Sequence, residues 1–393
     1  MVKRRLSILG STGSIGCSAV DVISHLGGAD KYDLVAMTAG RNAKKLAEQA
    51  LLLQPELAVL SDEKALPELQ SRLAGSGIEA AAGEGALLEA AGRSVDWCIS
   101  AIAGAAGLRP TLEAIRGGAT MALANKESMV CAGALVKAEA SKAGVHILPV
   151  DSEHSAIFQV FDTTQRESID RIILTASGGP FRNFSMLDMR DVTPEQALAH
   201  PNWSMGDAIS LDSATMFNKG LELIEAAQLF DVVSSQIEIV IHPQSVVHSM
   251  VGYADGSVLA QMGDPDMRTP IAYALGWPDR VETTVERLDF RKFSRLDFET
   301  PDETRFPALR IAREALEVGG LAPCAMNAAK EVAATAFIEK RIGFLDLAAI
   351  VDQVLSRINL TGFAHCLDDI LTADCDARRI ASEEIASRQT VFA

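Results

Sequence analysis

No run of about 18 apolar residues occurs in the chain, which excludes an ordinary membrane-spanning helix. Cysteine is sparse and unpatterned. Cys17, Cys98, Cys131, Cys324, Cys366 and Cys375 form no CxxC pair and no zinc-type spacing, so reduced, mostly buried thiols are expected. Positive charge is also short. Lys plus Arg number 36 against 52 Asp plus Glu, leaving a formal net charge of −16. A field of that sign repels phosphate backbones, so no nucleic-acid partner is expected, and an anionic substrate would need a local cationic pocket. Internal repeats and low-complexity tracts are absent. The basic-then-apolar start, Met1–Gly10, is too short for a signal-peptide core and leads into a motif, so a soluble cytoplasmic protein is expected.

What remains is ample core material. Of 393 residues, 48% are hydrophobic and 22% charged, which suits two or three packed domains. Residues 1–150 alternate short apolar runs with helical periodicity. Strands are expected at Leu6–Leu9, Tyr32–Thr38, Leu57–Leu60, Asp96–Ser100, Thr120–Ala122 and Val145–Leu148, with helices such as Ala43–Leu53 and Leu108–Arg116 between them. Such βα repetition predicts an α/β class with a parallel, doubly wound sheet. From Asp151 the texture changes to consecutive strands, Ile169–Ala176, Gln236–Ile241, Val246–Tyr253 and Ser257–Met262, which suggest an α+β domain over 151–280. Within it, 178–206 is long, Pro- and Gly-punctuated and carries Phe181, Phe184, Trp203 and Met205, which read as exposed apolar groups on a lid. Residues 281–307 read as a linker, and 308–393 as a C-terminal helical bundle broken at Gly319-Gly320, Gly343 and Gly362.

The segment Leu6-Ser-Ile-Leu-Gly10-Ser-Thr-Gly13-Ser-Ile-Gly16 is a strand, a glycine-spaced turn and a helix start. That order suits a dinucleotide pyrophosphate and makes the first domain Rossmann-like. After the second strand comes Gly40-Arg41-Asn42 with no acidic residue beside it, which favours NADPH over NADH. Val150-Asp151-Ser152-Glu153-His154 follows a strand end. If the strand continued, Asp151 and Glu153 would share a face and a hard cation; helix capping explains the same residues. A second cluster, Asp212-Ser213-Ala-Thr-Met-Phe-Asn218-Lys219-Gly220-Leu-Glu222, gathers phosphate donors beside a further carboxylate. Lys126 lies at another strand end, and His200 and Trp203 lie on the expected lid.

These segments, with Leu123–Glu127, Ser177–Phe181, His200–Gly206, His242–His248 and Gly263–Pro270, run in one order along essentially the whole chain. In that order they resemble the 1-deoxy-D-xylulose-5-phosphate reductoisomerase family of isoprenoid precursor biosynthesis. The resemblance implies a homodimer using NADPH and Mg²⁺, Mn²⁺ or Co²⁺ to isomerise and reduce 1-deoxy-D-xylulose 5-phosphate to 2-C-methyl-D-erythritol 4-phosphate. It implies Asp151, Glu153 and Glu222 as metal ligands, and Ser177, Ser213, Asn218 and Lys219 around the substrate phosphate. Lys126, Ser152, Glu153, His200, Trp203 and Glu222 would contact the sugar chain. Thr12, Gly13, Ser14, Ile15, Gly40, Arg41, Asn42, Asn125, Glu127 and Gly206 would line the cofactor. One departure is Gly206-Asp207-Ala208-Ile209, where relatives carry a basic residue before the Ile. The rival reading is an NADPH-dependent dehydrogenase of another sugar phosphate, which needs no three carboxylates. A semialdehyde dehydrogenase would need an activated cysteine that no motif supplies. An NADPH-sensing regulator gives no reason for Ser213–Glu222.

Overall fold

The computed structural model describes residues 3–201, 203, 206–359 and 366–391, and these divide into two compact units. The first takes the chain up to Ser128, then Val136–Ser155 and Asp266–Glu286; the second takes Met129–Leu135, Ala156–Pro265 and the chain from Arg287 onward. The cuts differ from the segment boundaries read from the sequence.

In the first unit, β1 (Arg4–Leu9), β2 (Tyr32–Ala39), β3 (Leu57–Leu60), β4 (Glu79–Ala82), β5 (Trp97–Ser100), β6 (Thr120–Leu123) and β7 (Ile147–Pro149) form one sheet. Its order is β4-β3-β2-β1-β5-β6-β7, with every neighbouring pair parallel. The apolar runs of β3 and β5 are buried throughout, as strands covered on both faces must be. The order reverses between β1 and β5, which is where ligands enter such sheets. Strand β4 escapes the sequence reading because Glu-Ala-Ala-Ala carries no β-branched or aromatic side chain. Helix Arg268–Gly276 belongs here too: the Trp97 indole N–H donates to the Ala274 carbonyl at 3.2 Å, and Arg4 donates to that of Leu275.

The second unit holds β8 (Ile169–Ala176), β9 (Ile237–Ile241), β10 (Val247–Tyr253) and β11 (Val258–Met262) in the order β11-β10-β8-β9. The β8–β9 pair is parallel and the others antiparallel. Helices Ala308–Val318, Ala322–Ile338, Asp346–Arg357 and Leu367–Val391 follow the expected 3.6-residue periodicity. Their apolar faces do not close a bundle of their own. Ile311, Met326, Phe337 and Ile350 share one core with Ile172, Leu174, Phe217 and Leu221. The stretch expected as a linker is largely irregular, with a short 3₁₀ turn at Phe290–Lys292 and a bridge from Glu299 to Ile241. Gly362 lies outside the described residues.

Candidate active site

In the first unit the glycine loop has the geometry its spacing demands. Gly10 sits at φ +86°, and a Cβ there would lie 2.6 Å from the Ala101 carbonyl oxygen. A Cβ on Gly16 would overlap the Gly10 carbonyl, so this glycine is needed for helix–strand contact. Gly13 differs: the nearest atom to an added Cβ is 3.5 Å away. It is the N-cap of helix Ser14–His25, with no side-chain cap, and both Gly13 and Ser14 are exposed. The helix therefore presents uncapped N–H groups to an anion. Thr12 and Ile15 are half-buried beside them.

At the end of β2, Gly40, Arg41 and Asn42 are all exposed. Asn42 is committed to folding, because its side chain accepts the Lys45 N–H at 3.0 Å and caps helix Ala43–Leu53. Arg41 has no ion pair among the described residues, which leaves its guanidinium available. Asn125 caps helix Lys126–Ala143 through the Ser128 N–H and donates to the carbonyls of Ile102 and Gly104 at 2.8 and 2.9 Å. Glu127 accepts from Asn125 and from the Gly104 N–H. These two residues brace the loop after β5 beside the glycine turn.

Strand β7 stops at Pro149 and a helix begins at Ser152, so strand alternation does not put Asp151 and Glu153 on one face. They flank a helix N-terminus instead, where the macrodipole favours carboxylates. Asp151 does act as a cap, accepting the Glu153 N–H at 3.3 Å through Oδ1. Its Oδ2 meets the buried Lys126 ammonium at 2.6 Å, and His154 Nδ1 is 3.4 Å from Oδ1. Burial works to raise the Asp151 carboxyl, yet Lys126 and His154 hold it well below the usual carboxylate range. Ser152 donates to Glu153.

In the second unit, helix Asp207–Thr215 ends at Met216, which adopts φ +65°, and helix Phe217–Phe230 follows. This break sets Ser213 before the turn and Asn218, Lys219 and Glu222 after it. Glu222 is 1% exposed and accepts from both Asn218 and Lys219. A buried carboxylate that already gathers an ammonium suits a cation, and its two donors suit a phosphate once released. Gly179, at φ +68°, packs so close to this turn that a Cβ would lie 2.7 Å from the Ser213 carbonyl oxygen. Ser177 Oγ is 2.9 Å from His200 Nε2, and His200 Nδ1 accepts the Trp203 N–H at 2.9 Å. The ring is therefore neutral with its proton on Nε2, and burial lowers its pKa accordingly.

The expected lid needs correction, since Phe184 and Trp203 are half-buried rather than exposed, Phe184 packed against the core. Phe181 is not exposed: it is 1% accessible, inside the core against Phe184 and Phe344. Arg305 donates to the carbonyls of Arg182 and Phe184, and Met189 and Ala197 are buried. The exposed apolar groups of this stretch are Met186 and Leu187. Met205, like Asn202 and Ser204, lies outside the described residues. Gly206 is exposed and caps helix Asp207–Thr215 with backbone alone.

Two contacts escape the sequence reading, although His248 and Asp212 lie in segments that it singled out. His248 is buried, its ring 6.2 Å from that of Trp203, and burial pushes it down to about 4. Asp212 and Lys330 form a buried ion pair at 2.6 Å. The available signal for the latter was Asn327-Ala-Ala-Lys330-Glu331, a polar turn within an otherwise apolar helix.

The donor sets fit the groups expected of them: hard carboxylate oxygens for a divalent cation, and a tight glycine turn with an open helix start for a dinucleotide. Comparison with known proteins shows the family. Profiles described as 1-deoxy-D-xylulose 5-phosphate reductoisomerase, its C-terminal domain, and the DXP reductoisomerase C-terminal domain match residues 6–133, 147–230 and 262–380. The 1-deoxy-D-xylulose 5-phosphate reductoisomerase of Rhodospirillum centenum is 57% identical over 384 residues, covering 98% of this chain and 95% of its own. That of Sinorhizobium medicae is 57% identical, covering 97% of each. Among solved structures, the Zymomonas mobilis enzyme in complex with NADPH superposes with a TM-score of 0.92 at 50% identity, covering 98% of this chain and 99% of its own. A DOX-P reductoisomerase in complex with NADPH, fosmidomycin and magnesium gives 0.93 at 41% identity, covering 98% of each.

Proposed function

The chain belongs to the 1-deoxy-D-xylulose 5-phosphate reductoisomerase family, and from that premise we propose how its residues divide the work. The protein isomerises 1-deoxy-D-xylulose 5-phosphate and reduces the product to 2-C-methyl-D-erythritol 4-phosphate, using NADPH and a divalent metal. When bound, the metal supplies Lewis acidity and a template for the sugar oxygens, and NADPH supplies the hydride.

Asp151, Glu153 and Glu222 are the metal ligands in this reading, with Mg²⁺, Mn²⁺ or Co²⁺ as the ion. Lys126 keeps Asp151 ionised, as their 2.6 Å contact supports. Ser177, Ser213, Asn218 and Lys219 bind the phosphate. Lys126, Ser152 and His200 hold the polar carbon chain, with Trp203 covering it. Thr12, Gly13, Ser14 and Ile15 take the pyrophosphate, and Arg41 the 2′-phosphate. Gly40, Asn42, Asn125, Glu127 and Gly206 shape the walls of the cofactor site.

Residues 1–150 thus serve the cofactor and 151–280 the metal and substrate, while 281–307 connect to the helices of 308–393. Within the proposed lid 178–206, Phe181 and Met189 are anchored in the core, so the covering role falls to His200 and Trp203. Closure over a reactive aldehyde excludes water until reduction is complete. The observation that carries the assignment is the buried Lys219–Glu222 pair with the half-buried Asn218 bonded to it, which a plain dehydrogenase has no use for. Its test is Lys219→Ala: the Michaelis constant for the phosphorylated sugar rises at least about tenfold while that for NADPH holds. Full retained affinity would make Lys219 a structural residue.

We also assign the protein to the cytoplasm as a homodimer. Among the described residues no helix is long and apolar enough to cross a membrane. Strand β11 is a sheet edge whose Val258 and Leu259 are 46% and 50% exposed, and such an edge supports pairing with a second copy.

A further inference from the structure

Asp212 and Ser213 are neighbours on one helix, about 100° apart around its axis. The first turns inward, 6% exposed, and the second remains half-buried. What Asp212 meets inside is Lys330, 4% exposed, on helix Ala322–Ile338, with Nζ 2.6 Å from Oδ2. The next residue along, Glu331, accepts from Asn327 at 3.0 Å and from Arg378, which also pairs with Asp374 at 2.6 Å. A line of charged contacts therefore runs from the residue beside Ser213 to the last helix, Leu367–Val391. Across from it, the Gly179 backbone abuts the Ser213 carbonyl so tightly that only glycine fits.

Stability alone is a poor reason for the pair. Desolvating two charges commonly costs more than their attraction returns, and apolar residues of similar volume would pack as well. A fixed ion pair does set the rotation and height of the helix that carries it. We propose that Lys330 is a positioning residue for the phosphate pocket: it holds Asp212, and through Asp212 the hydroxyl of Ser213, at the place where the substrate phosphate is bound. This rests on the reading of Ser213 as a phosphate ligand. The C-terminal helices thereby take part in substrate recognition without touching substrate.

The test measures steady-state constants of the full-length enzyme, with inorganic phosphate as a competing probe. Lys330→Met is expected to raise both the substrate Michaelis constant and the phosphate inhibition constant about tenfold, with that for NADPH and kcat within about twofold. Asp212→Asn is nearly isosteric and keeps the fold if Lys330→Met does not. It is expected to move the same two constants about threefold or more. In a Ser213→Ala background either change adds less than about twofold, because the three residues act as one unit. Unchanged substrate and phosphate constants in a folded variant, equal losses for NADPH, or full additivity with Ser213→Ala would each overturn the inference. Ser213→Ala alone separates the two levels. If it leaves the substrate constant unchanged, the pocket reading fails and takes this inference with it; if it raises that constant while Asp212→Asn does not, only the inference fails.

Discussion

Burial lowers the pKa of His248 and of His200, and this has a consequence for stability. His248 titrates at about 4 when folded, against ~6.5 for a free imidazole. As pH falls the unfolded chain takes up its proton first, so this contribution is complete above pH ~6.5 and is lost towards pH 4. His200, also lowered by burial, acts in the same direction. Unfolding free energy from urea titration is expected to be roughly 2 kcal/mol smaller at pH ~5 than at pH ~7.5 on account of His248. His248→Gln should remove most of that difference, and an undiminished pH slope would show that other groups cause it. Arg41→Asp should raise the Michaelis constant for NADPH far more than that for NADH, because it puts a repelling carboxylate where the guanidinium has no ion pair among the described residues. Equal effects would remove Arg41 from the 2′-phosphate. The capping place of Asp151 and the grouping of Asn218, Lys219 and Glu222 were legible in the sequence because each lies within one short motif. A shared strand face for Asp151 and Glu153 is not what forms. Lys330 was not legible, because its partner lies 118 residues away and no local spacing encodes that contact.

Elements were legible where periodicity is strong and obscure where a neighbour overrides it. Helices Ala43–Leu53 and Leu108–Arg116 begin and end as read, since Asn42 caps one and both bury an apolar stripe. Strand β4 is set by its partner β3 rather than by its own composition. Phe181 looked exposed because a Gly-Gly-Pro context signals a loop, whereas the two glycines in fact bend the chain into the core. The glycine turn gives a paired prediction. Gly16→Ala should destabilise the first unit by about 1–3 kcal/mol through overlap with the Gly10 carbonyl. Gly13→Ala has room within the protein and should leave thermal stability nearly unchanged while weakening NADPH binding. Equal thermal losses in both would mean that Gly13 serves packing alone. At the start of helix Asp207–Thr215, Asp207 occupies the turn where a carboxylate is favoured. The departure from relatives is therefore compatible with a well-made helix start. Ala208→Lys should cost about 0.3–1 kcal/mol against the macrodipole, and a gain in stability would contradict that reading.

For the whole molecule, the α/β class follows from the sequence, but the division of the core does not. Helices 308–393 share apolar contacts with β8 and with helix Phe217–Phe230, so the periodicity that identified them could not say what they would cover. With a formal net charge of −16, an anionic substrate needs a local cationic pocket, the part proposed for Lys126 and Lys219. Coupled isomerisation and reduction sets this protein apart from any simple dehydrogenase, and in the proposed reading it rests on the carboxylates as much as on the cofactor. The most direct measurement follows loss of NADPH absorbance with 1-deoxy-D-xylulose 5-phosphate, with and without Mg²⁺, for the wild type and Glu153→Gln. The expected result is turnover by the wild type only with metal, formation of 2-C-methyl-D-erythritol 4-phosphate, and near-complete loss in Glu153→Gln with NADPH binding retained. Metal-independent oxidation of NADPH, or an active Glu153→Gln enzyme, would contradict it.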